Sequence, residues 1–448
     1  MKKLLKITVV IILLLLIFFL GTFKYRQYKA NGVSIPKNAT SLVKLNIDEI
    51  YKSIAANLIS NPGYYFKSDT NKTTKPKVED FDHGLKIPAS IYLYTLKNQP
   101  KTAFFSRFEI KELDRFEHFL LSTLKLQVVK SGKNGNYSKS KTGNIAVYYN
   151  TKYAAIAIST EVIKFELILK NVLNQKDFIE VGKSNFDLVK NSTEHVAFAD
   201  GEHFGTLNFG KGTINLTDEF VSKSIIPAAK PVYRKFNNES AISFWVNADF
   251  KRTAKQTLIL KNTSLERDSI AKYYQRYLDF EWVNTTQQID SIITYDYNDD
   301  FEKVEKVTLQ KRDVPNFVLN ISADAIGLKK YLSSRSIINL DSGIVNKSVF
   351  PLYNVFVGGD NERLVLSTSK GSKVGDSTES SNNFFALKVN FLKLNKQINH
   401  PLFTRYTKNL ALLEVNGNKQ ENGKIKVDGR LAFVNKDINS LYQLLKGF

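Results

Sequence analysis

An uninterrupted apolar run, ITVVIILLLLIFFLGTF, extends from Ile7 to Phe23. At about 1.5 Å per helical residue the run reaches roughly 25 Å, close to the hydrocarbon thickness of a bilayer. We therefore predict one transmembrane helix, formed by Ile7 to Phe23. Basic residues flank this run on both sides: Lys2, Lys3 and Lys6 before it, and Lys24, Arg26 and Lys29 after it.

The residues around the end of the apolar run, LGTFKYRQYKA, lack the pair of small residues that a signal peptidase requires. The chain has no cysteine, which excludes a lipoprotein anchor. These features predict an uncleaved, single-pass signal anchor in the inner or cytoplasmic membrane. The basic flanks are nearly balanced, but an anchor followed by a large domain without a further apolar span usually exports that domain. We expect an extracytoplasmic C-terminal domain, with a tethered cytoplasmic domain as the alternative.

Beyond the anchor, a strand pattern followed by a helix pattern recurs along the chain. In SLVKLNIDEIYKSIAANL the strand ends at Asn46, which occupies an N-cap position, and Glu49 lies where a capping box needs it. Similar units, with their predicted caps, are AISFWVNADFKRTAKQ (Asn247), FFALKVNFLKLNKQI (Asn390), RLAFVNKDINSLYQLL (Asn435 or Asp437), NFVLNISADAIGLKKYL (Ser322) and, with no cap assigned, TAFFSRFEIKELDRFEHFLLSTL.

The segments between these units alternate apolar and polar residues and contain turn residues, which is typical of β-hairpins. Turns are predicted at Gly358 and Gly359, at Asn298 to Asp300, and in the loop within LLEVNGNKQENGKIKVDGRLAFV. The predicted fold class is α+β: antiparallel sheets with helices packed on one face.

Composition and Pro-containing stretches set the domain organisation. A hydrophobic fraction of 43% and an aromatic fraction of 12% indicate folded domains. We assign residues 1–30 to the cytoplasmic tip, the anchor and its basic flank, and residues 31–223 to a first α+β domain. The stretch SIIPAAKPVYRKFNNES, residues 224–240, is the predicted boundary, and residues 241–448 form a second α+β domain.

The formal net charge of +21 favours anionic neighbours, although lysines spread along a chain also simply solvate a surface. The segment KSGKNGNYSKSKTGN, from Lys130 to Asn144, is basic, lacks acidic residues and is predicted to form a long turn between two strands. Basic and aromatic side chains together suit phosphate and stacking contacts. The candidate contacts to an anionic ligand are Lys130, Lys133, Tyr137, Lys139 and Lys141.

Short motifs that resemble nucleotide or metal sites lack features that those sites require. GTLNFGKGT opens like a phosphate-binding loop, but Gly212 stands where Ser or Thr is required, and a hairpin turning at Gly210 and Lys211 explains the pattern better. His195 and His203 are predicted to lie on opposite faces of a sheet if Asp200 and Gly201 form the turn between them.

The acidic stretch DYNDDFE begins like a calcium loop but has Phe301 in place of the required Gly. No nucleophile elbow is present. We therefore expect no catalytic residue, no metal, no cofactor and no specific nucleic-acid binding.

The exported part begins with Ile35-Pro36-Lys37-Asn38-Ala39 and ends with DGRLAFVNKDINSLYQLLKGF. At these two ends the chain resembles uncharacterised single-anchor envelope proteins of bacteria. The resemblance implies an envelope location and carries no activity with it.

These observations favour a membrane-anchored, extracytoplasmic protein that binds or scaffolds envelope components without catalysis. Its basic segment would contact an anionic polymer or lipid headgroups. Two other classes stay open: a carrier of lipid or another hydrophobic ligand, and an envelope hydrolase. Protein partners do not follow from the sequence.

Overall fold

The computed structural model describes residues 22, 24–30, 32–66, 83–132, 135–251, 257–260, 263–297, 301–372, 374–375, 377–398 and 400–447. The predicted anchor, Ile7 to Phe23, lies outside these ranges except for Thr22. Within the described ranges, no helix is both long and apolar enough to cross a membrane.

The chain divides into two compact units, each an α+β arrangement with antiparallel strand pairing. The first unit comprises Met1–Lys211 and Asp437–Tyr442, and the second comprises Gly212–Lys436 and Gln443–Phe448. This division differs from the predicted boundary at residues 224–240, because that stretch contributes two short strands to the second unit. They pair with strands at residues 248–250 and 378–380.

The first unit contains strands β1 to β12 and helices α1 to α5, and residues 24–30 are helical. The strands are β1 Ser34–Pro36, β2 Ala39–Asn46, β3 Leu85–Lys86, β4 Ser90–Leu96, β5 Phe104–Ile110, β6 Gln127–Lys130, β7 Asn136–Lys139, β8 Ile145–Tyr149, β9 Tyr153–Ile158, β10 Phe178–Glu180, β11 Val196–Asp200 and β12 His203–Phe209. The helices are α1 Ile47–Ser60, α2 Pro62–Tyr65, α3 Leu113–Ser122, α4 Glu166–Leu173 and α5 Asp187–Asn191, with a 3-10 turn at Val181–Lys183.

The main sheet of the first unit has the strand order β12-β11-β2-β4-β5-β9-β8-β7-β6. Strand β3 pairs with β5 at Leu85–Ile110 and Lys86–Glu109. Strand β4 pairs with β5 at Tyr94–Phe105.

Helices cover both faces of this sheet, so the prediction of helices on one face is wrong for the first unit. Helix α4 packs through Leu169 in a cluster with Ala155 of β9. Helix α3 packs through Phe116 in a second cluster with Ala154 of the same strand. Because adjacent strand residues point to opposite faces, the two helices lie on opposite sides. Strand β8 is apolar throughout, as expected for a strand buried on both faces.

The second unit contains strands β13 to β28 and helices α6 to α9. The strands are β13 Thr213–Phe220, β14 Ile225–Pro227, β15 Val232–Arg234, β16 Ile242–Phe250, β17 Thr257–Leu260, β18 Thr263–Glu266, β19 Tyr274–Tyr297, β20 Lys303–Ala323, β21 Ile338–Asn339, β22 Ile344–Val345, β23 Phe356–Gly358, β24 Arg363–Ser367, β25 Thr378–Ser380, β26 Asn383–Asn390, β27 Leu410–Lys419 and β28 Ile425–Phe433. The helices are α6 Arg267–Tyr273, α7 Ala325–Ser334, α8 Phe391–Gln397 and α9 Pro401–Thr407, and a last helix of the chain, α10, is Ser440–Gly447.

The main sheet of the second unit has the order β13-β28-β27-β26-β16-β19-β20-β24-β23-β22-β21. Three hairpins predicted from the sequence are confirmed as strand pairs: β19 with β20, β23 with β24, and β27 with β28. The predicted turn at Asn298 to Asp300 lies outside the described residues.

The predicted strand-to-helix units are confirmed where β2, β5, β20, β26 and β28 precede α1, α3, α7, α8 and α10. Asn390 caps α8 as predicted, accepting a hydrogen bond from the Lys393 amide at 3.1 Å. Helix α7 is capped by Asp324 instead of Ser322, and Asn439 accepts bonds from the first amides of α10. A helix was predicted to begin after Asn247. This prediction is wrong for the residues up to Phe250, because strand β16 continues to that residue.

The predicted capping box at Asn46 is wrong because the Asn46 side chain is buried and bonded elsewhere. Its amide nitrogen donates to the Ser192 and Glu194 carbonyls, and its oxygen accepts from the Ser90 hydroxyl. Lys44, on the same face of β2, donates to the Ser192 carbonyl at 2.9 Å. These two side chains hold the loop after α5 against the sheet.

Burial lowers the pKa of Lys44 to about 8, against 10.5 for a free lysine. Below pH 8 both folded and unfolded chains carry this proton. Between pH 8 and 10.5 the unfolded chain binds more protons, so the contribution of Lys44 to stability rises with pH there. We expect the free energy of unfolding to rise between pH 8 and 10, relative to Lys44→Met, by on the order of 2 kcal/mol. Urea unfolding at several pH values measures this difference, and parallel pH curves for the two proteins would contradict it.

Candidate functional site

The basic segment singled out from the sequence is not one long turn. Strand β7 forms within it and pairs with both β6 and β8. Lys139 and Lys141 are exposed, whereas Lys133 and the side chain of Lys130 lie outside the described part of the structure. Only part of the predicted contact set can therefore be placed.

Tyr137 does not belong to a contact surface, which corrects the sequence prediction. Its side chain is 6% exposed and belongs to the core cluster between the sheet and α4. Its ring centroid lies 6.5 Å from that of Tyr148. The ring was predicted to stack on a ligand, but alternation along β7 turns it into the core.

A cavity of about 720 Å³ in the first unit is a stronger candidate site. It opens where β4 and β5 part beyond their pairing at Tyr94 and Phe105, and residues 86–92 and 106–109 form two of its walls. The Ser106 hydroxyl bridges the two strands by donating to the Tyr92 carbonyl at 2.8 Å. The helical residues 25–30 contribute a third wall. This volume is within the range of small-molecule sites.

Basic side chains outnumber acidic ones around the cavity. Its lining contains Arg26, Lys29, Lys86 and Arg107 against a single carboxylate, Glu109. Lys86 forms a salt bridge with Glu109 at 2.9 Å. Arg26 holds Asp48 with both guanidinium bonds, at 2.9 and 3.0 Å, and these bonds raise the pKa of Arg26.

Arg107 is held in place by a stacking contact and a hydrogen bond. Its guanidinium lies 3.6 Å from the centroid of the Tyr153 ring, and its Nε donates to the Leu173 carbonyl at 2.9 Å. A cation stacked on an aromatic face in this way keeps its charge and has its orientation fixed. Together with exposed Lys29, it supplies positive charge to the cavity lining.

The interior side of the cavity contains two tyrosines of β4. Tyr92 and Tyr94 are 4% and 2% exposed. Within the described part of the chain, neither hydroxyl has a hydrogen-bond partner. Burial raises the pKa of both, and the positive charge of Arg107 opposes this rise at Tyr94. Buried hydroxyls normally find a partner, so these two buried donors are left unsatisfied beside the cavity.

None of these residues was predicted from the sequence as part of a site. Arg26 and Lys29 were assigned to the basic flank of the anchor, and Lys86 and Arg107 are isolated in the sequence. The one available signal was the alternation in SIYLYTL, which places Tyr92 and Tyr94 on the same face of a strand.

The other motifs have structural roles. Asp200 pairs with His203, so the two turn residues are Gly201 and Glu202. The predicted strand register is therefore wrong by two residues. Gly201, at φ 61°, supplies the left-handed backbone conformation that such turns need. A shift of two preserves the faces, so His195 and His203 lie on opposite sides as predicted. His195 Nδ1 accepts from the Phe209 amide at 2.9 Å, and burial lowers the pKa of His195.

In GTLNFGKGT the residue after Lys211 leads into a strand, β13, rather than into the helix that a phosphate loop requires. In place of the predicted two-residue turn, Gly210 and Lys211 bond residues 439 and 440 of the first unit. The Gly210 carbonyl accepts from the Ser440 amide at 2.9 Å, and Lys211 forms a β-bridge with Asn439.

No protein-family model and no curated protein matches this chain. Solved structures of TP0453 in crystal forms III and IV are 8% identical to it, and each alignment covers 75% of this chain. The alignments cover 90% and 92% of those chains, with TM-scores of 0.24 and 0.23. At these scores neither a shared fold nor a function can be carried over.

Proposed function

We propose that this chain is a membrane-anchored, extracytoplasmic binding protein of the bacterial envelope, and that its first unit binds an anionic amphiphile such as a phospholipid. The supporting observation is the cavity of about 720 Å³, whose lining contains four basic residues, one acidic residue and two tyrosines with buried, unpaired hydroxyls. This is the carrier class of function, which was an alternative to a scaffold on the sequence alone.

The lining offers partners for both parts of such a ligand. An acidic head group would meet Arg107 and Lys29, since cations held at an apolar wall bind phosphate through charge-assisted hydrogen bonds. An acyl chain would lie along the apolar residues Val33 and Ile87. The Tyr92 and Tyr94 hydroxyls are buried, and after a rotation of these side chains toward the ligand they would donate to ester or phosphate oxygens.

The position of the cavity in the chain fits a lipid ligand. Residues 25–30, which form one wall, directly follow the predicted anchor Ile7 to Phe23. In the proposed topology this wall therefore starts within a few residues of the bilayer surface. A lipid would have a short path from the membrane to the cavity.

Reversal of the charge at Arg107 tests the proposal. The full chain is purified in detergent and its bound phospholipid is measured by native mass spectrometry. We expect Arg107→Glu to retain at least about tenfold less anionic phospholipid than the unchanged protein, because a carboxylate there repels the head group. Lys101→Glu, an exposed change outside both the cavity and the basic segment, is the control and is expected to retain the normal amount.

Lipid held around the transmembrane helix is the same in all three proteins, so only differences between them report on the cavity. Equal lipid content in Arg107→Glu and the control would contradict lipid binding in the cavity. It would leave the scaffold function, based on exposed Lys139 and Lys141, as the better hypothesis.

A further inference from the structure

The second unit contains a separate cavity of about 460 Å³ whose lining is mostly polar. Three aromatic rings line it, and amide, hydroxyl and carboxylate groups make up most of the remainder. It differs from the cavity of the first unit in charge. Its two lysines, Lys235 and Lys388, form salt bridges with its two glutamates, Glu379 and Glu414, at 3.7 and 3.5 Å. Because these charges compensate, the cavity suits a neutral ligand.

The aromatic residues form a stack of nearly parallel rings. The Tyr233 and Trp245 rings stack with centroids 5.2 Å apart at an interplanar angle of 16°. Phe236 stacks on Tyr233 at 6.4 Å and 23°. The Tyr233 hydroxyl donates to Glu379 Oε2 at 2.6 Å, which fixes the ring. Trp245 is 5% exposed, so the partly exposed Tyr233 and Phe236 provide the rigid, amphipathic contact surface, at a low entropic cost.

Buried charged side chains hold the segment that contains Tyr233 and Phe236 in place. The Glu281 carboxylate accepts from the Asn237 amide and from the Ser240 hydroxyl, both at 2.6 Å. Arg234 lies between the two aromatic residues and donates to Asp279 and Glu281. The cavity wall is therefore organised before any ligand arrives.

We infer that this cavity binds a neutral glycan. A sugar ring has apolar C–H faces that pack on aromatic rings, and hydroxyl or acetamido groups that need donors and acceptors at its edge. Asn237, Asn383 and Asn416 supply both donors and acceptors in the same lining. An anionic polymer would find no net positive charge there, and an acyl chain would leave these polar groups unpaired. The inference goes beyond lipid binding in the first unit and does not depend on it.

Titration of the full chain with chitotetraose, a neutral oligomer of N-acetylglucosamine, tests this inference by calorimetry. The detergent must have a polyoxyethylene head group, because a maltoside would compete as a sugar. We expect binding in the millimolar range or tighter, weakened at least about tenfold by Tyr233→Ser. Tyr295→Ser, an exposed tyrosine outside the cavity lining, should bind as the unchanged protein does.

A fluorescence measurement decides the question even if Tyr233→Ser fails to fold. The chain has two tryptophans, so Trp282→Phe leaves Trp245 as the only one. In that protein, chitotetraose should change the emission of Trp245 with the same saturation curve as the heat. Absence of both heat and emission change, or equal affinity in a folded Tyr233→Ser protein, would overturn the inference.

Discussion

Replacing Arg234 with methionine is expected to lower the free energy of unfolding of the second unit by about 3–5 kcal/mol. Arg234 is 11% exposed and forms salt bridges at 2.8 Å with Asp279 and Glu281, which are 0% and 8% exposed. Asp279 also accepts from the Asn320 amide at 2.9 Å. Burial lowers the pKa of Arg234, the hydrogen bonds to the two carboxylates raise it, and the net change is upward. Methionine fills similar volume but leaves two buried carboxylates without their cation.

Tryptophan fluorescence is the appropriate measurement, because both tryptophans, Trp245 and Trp282, belong to the second unit. Denaturant unfolding followed in this way reports on that unit alone. Arg276→Met is the matched control: its partner is Asp249, and the Arg276 side chain is 70% exposed. We expect the control to change stability by no more than about 1 kcal/mol, as is usual for exposed pairs. Similar losses in the two variants would mean that burial does not govern the Arg234 network.

The strands and hairpins were accessible from sequence because their determinants are local. The β27–β28 hairpin follows from alternating apolar residues on both sides of an Asn- and Gly-rich loop, and it formed as predicted. The turn before His203 shows the limit of this approach. Alternation fixed which face each histidine takes, but it could not distinguish two registers that differ by two residues.

Helix caps were predicted well only where no distant group competed for the side chain. Asn390 caps α8, and its oxygen bonds an amide three residues away. Asn46 occupies an equivalent position before α1, yet its side chain bonds groups at Ser90, Ser192 and Glu194. Such partners are set by tertiary packing and leave no local trace in the sequence.

The cavity of the first unit could not be predicted for the same reason. Its lining combines a helical segment near the N-terminus, two strands that part, and single residues such as Tyr153 and Gln175. The gap between β4 and β5 depends on where β3 replaces β4 as the strand paired with β5. That position is a property of the whole sheet. By contrast, the basic segment was conspicuous in sequence, and β7 divides it and buries Tyr137.

Replacing both Tyr92 and Tyr94 with phenylalanine is expected to have opposite effects on stability and on lipid binding. Each hydroxyl is buried and, among the described residues, lacks a hydrogen-bond partner. Removing a buried unpaired hydroxyl relieves a desolvation cost, so the lipid-free protein should gain about 1–3 kcal/mol per site. If the same hydroxyls donate to a bound lipid, the double variant loses those bonds, and its affinity should fall at least about tenfold.

Hydrogen exchange of β4 and β5 in delipidated protein measures the stability, and native mass spectrometry measures the bound lipid. Tyr274→Phe is the matched control, since its buried hydroxyl also lacks a partner within the described ranges but lies outside the cavity lining. The control should gain stability in its own unit and bind lipid normally. A double variant that gains stability and still binds lipid normally would show that the two hydroxyls are left unpaired by packing and have no role in lipid binding. A gain in stability joined to a loss of lipid would mean that the protein keeps two costly polar groups in its core because its ligand uses them.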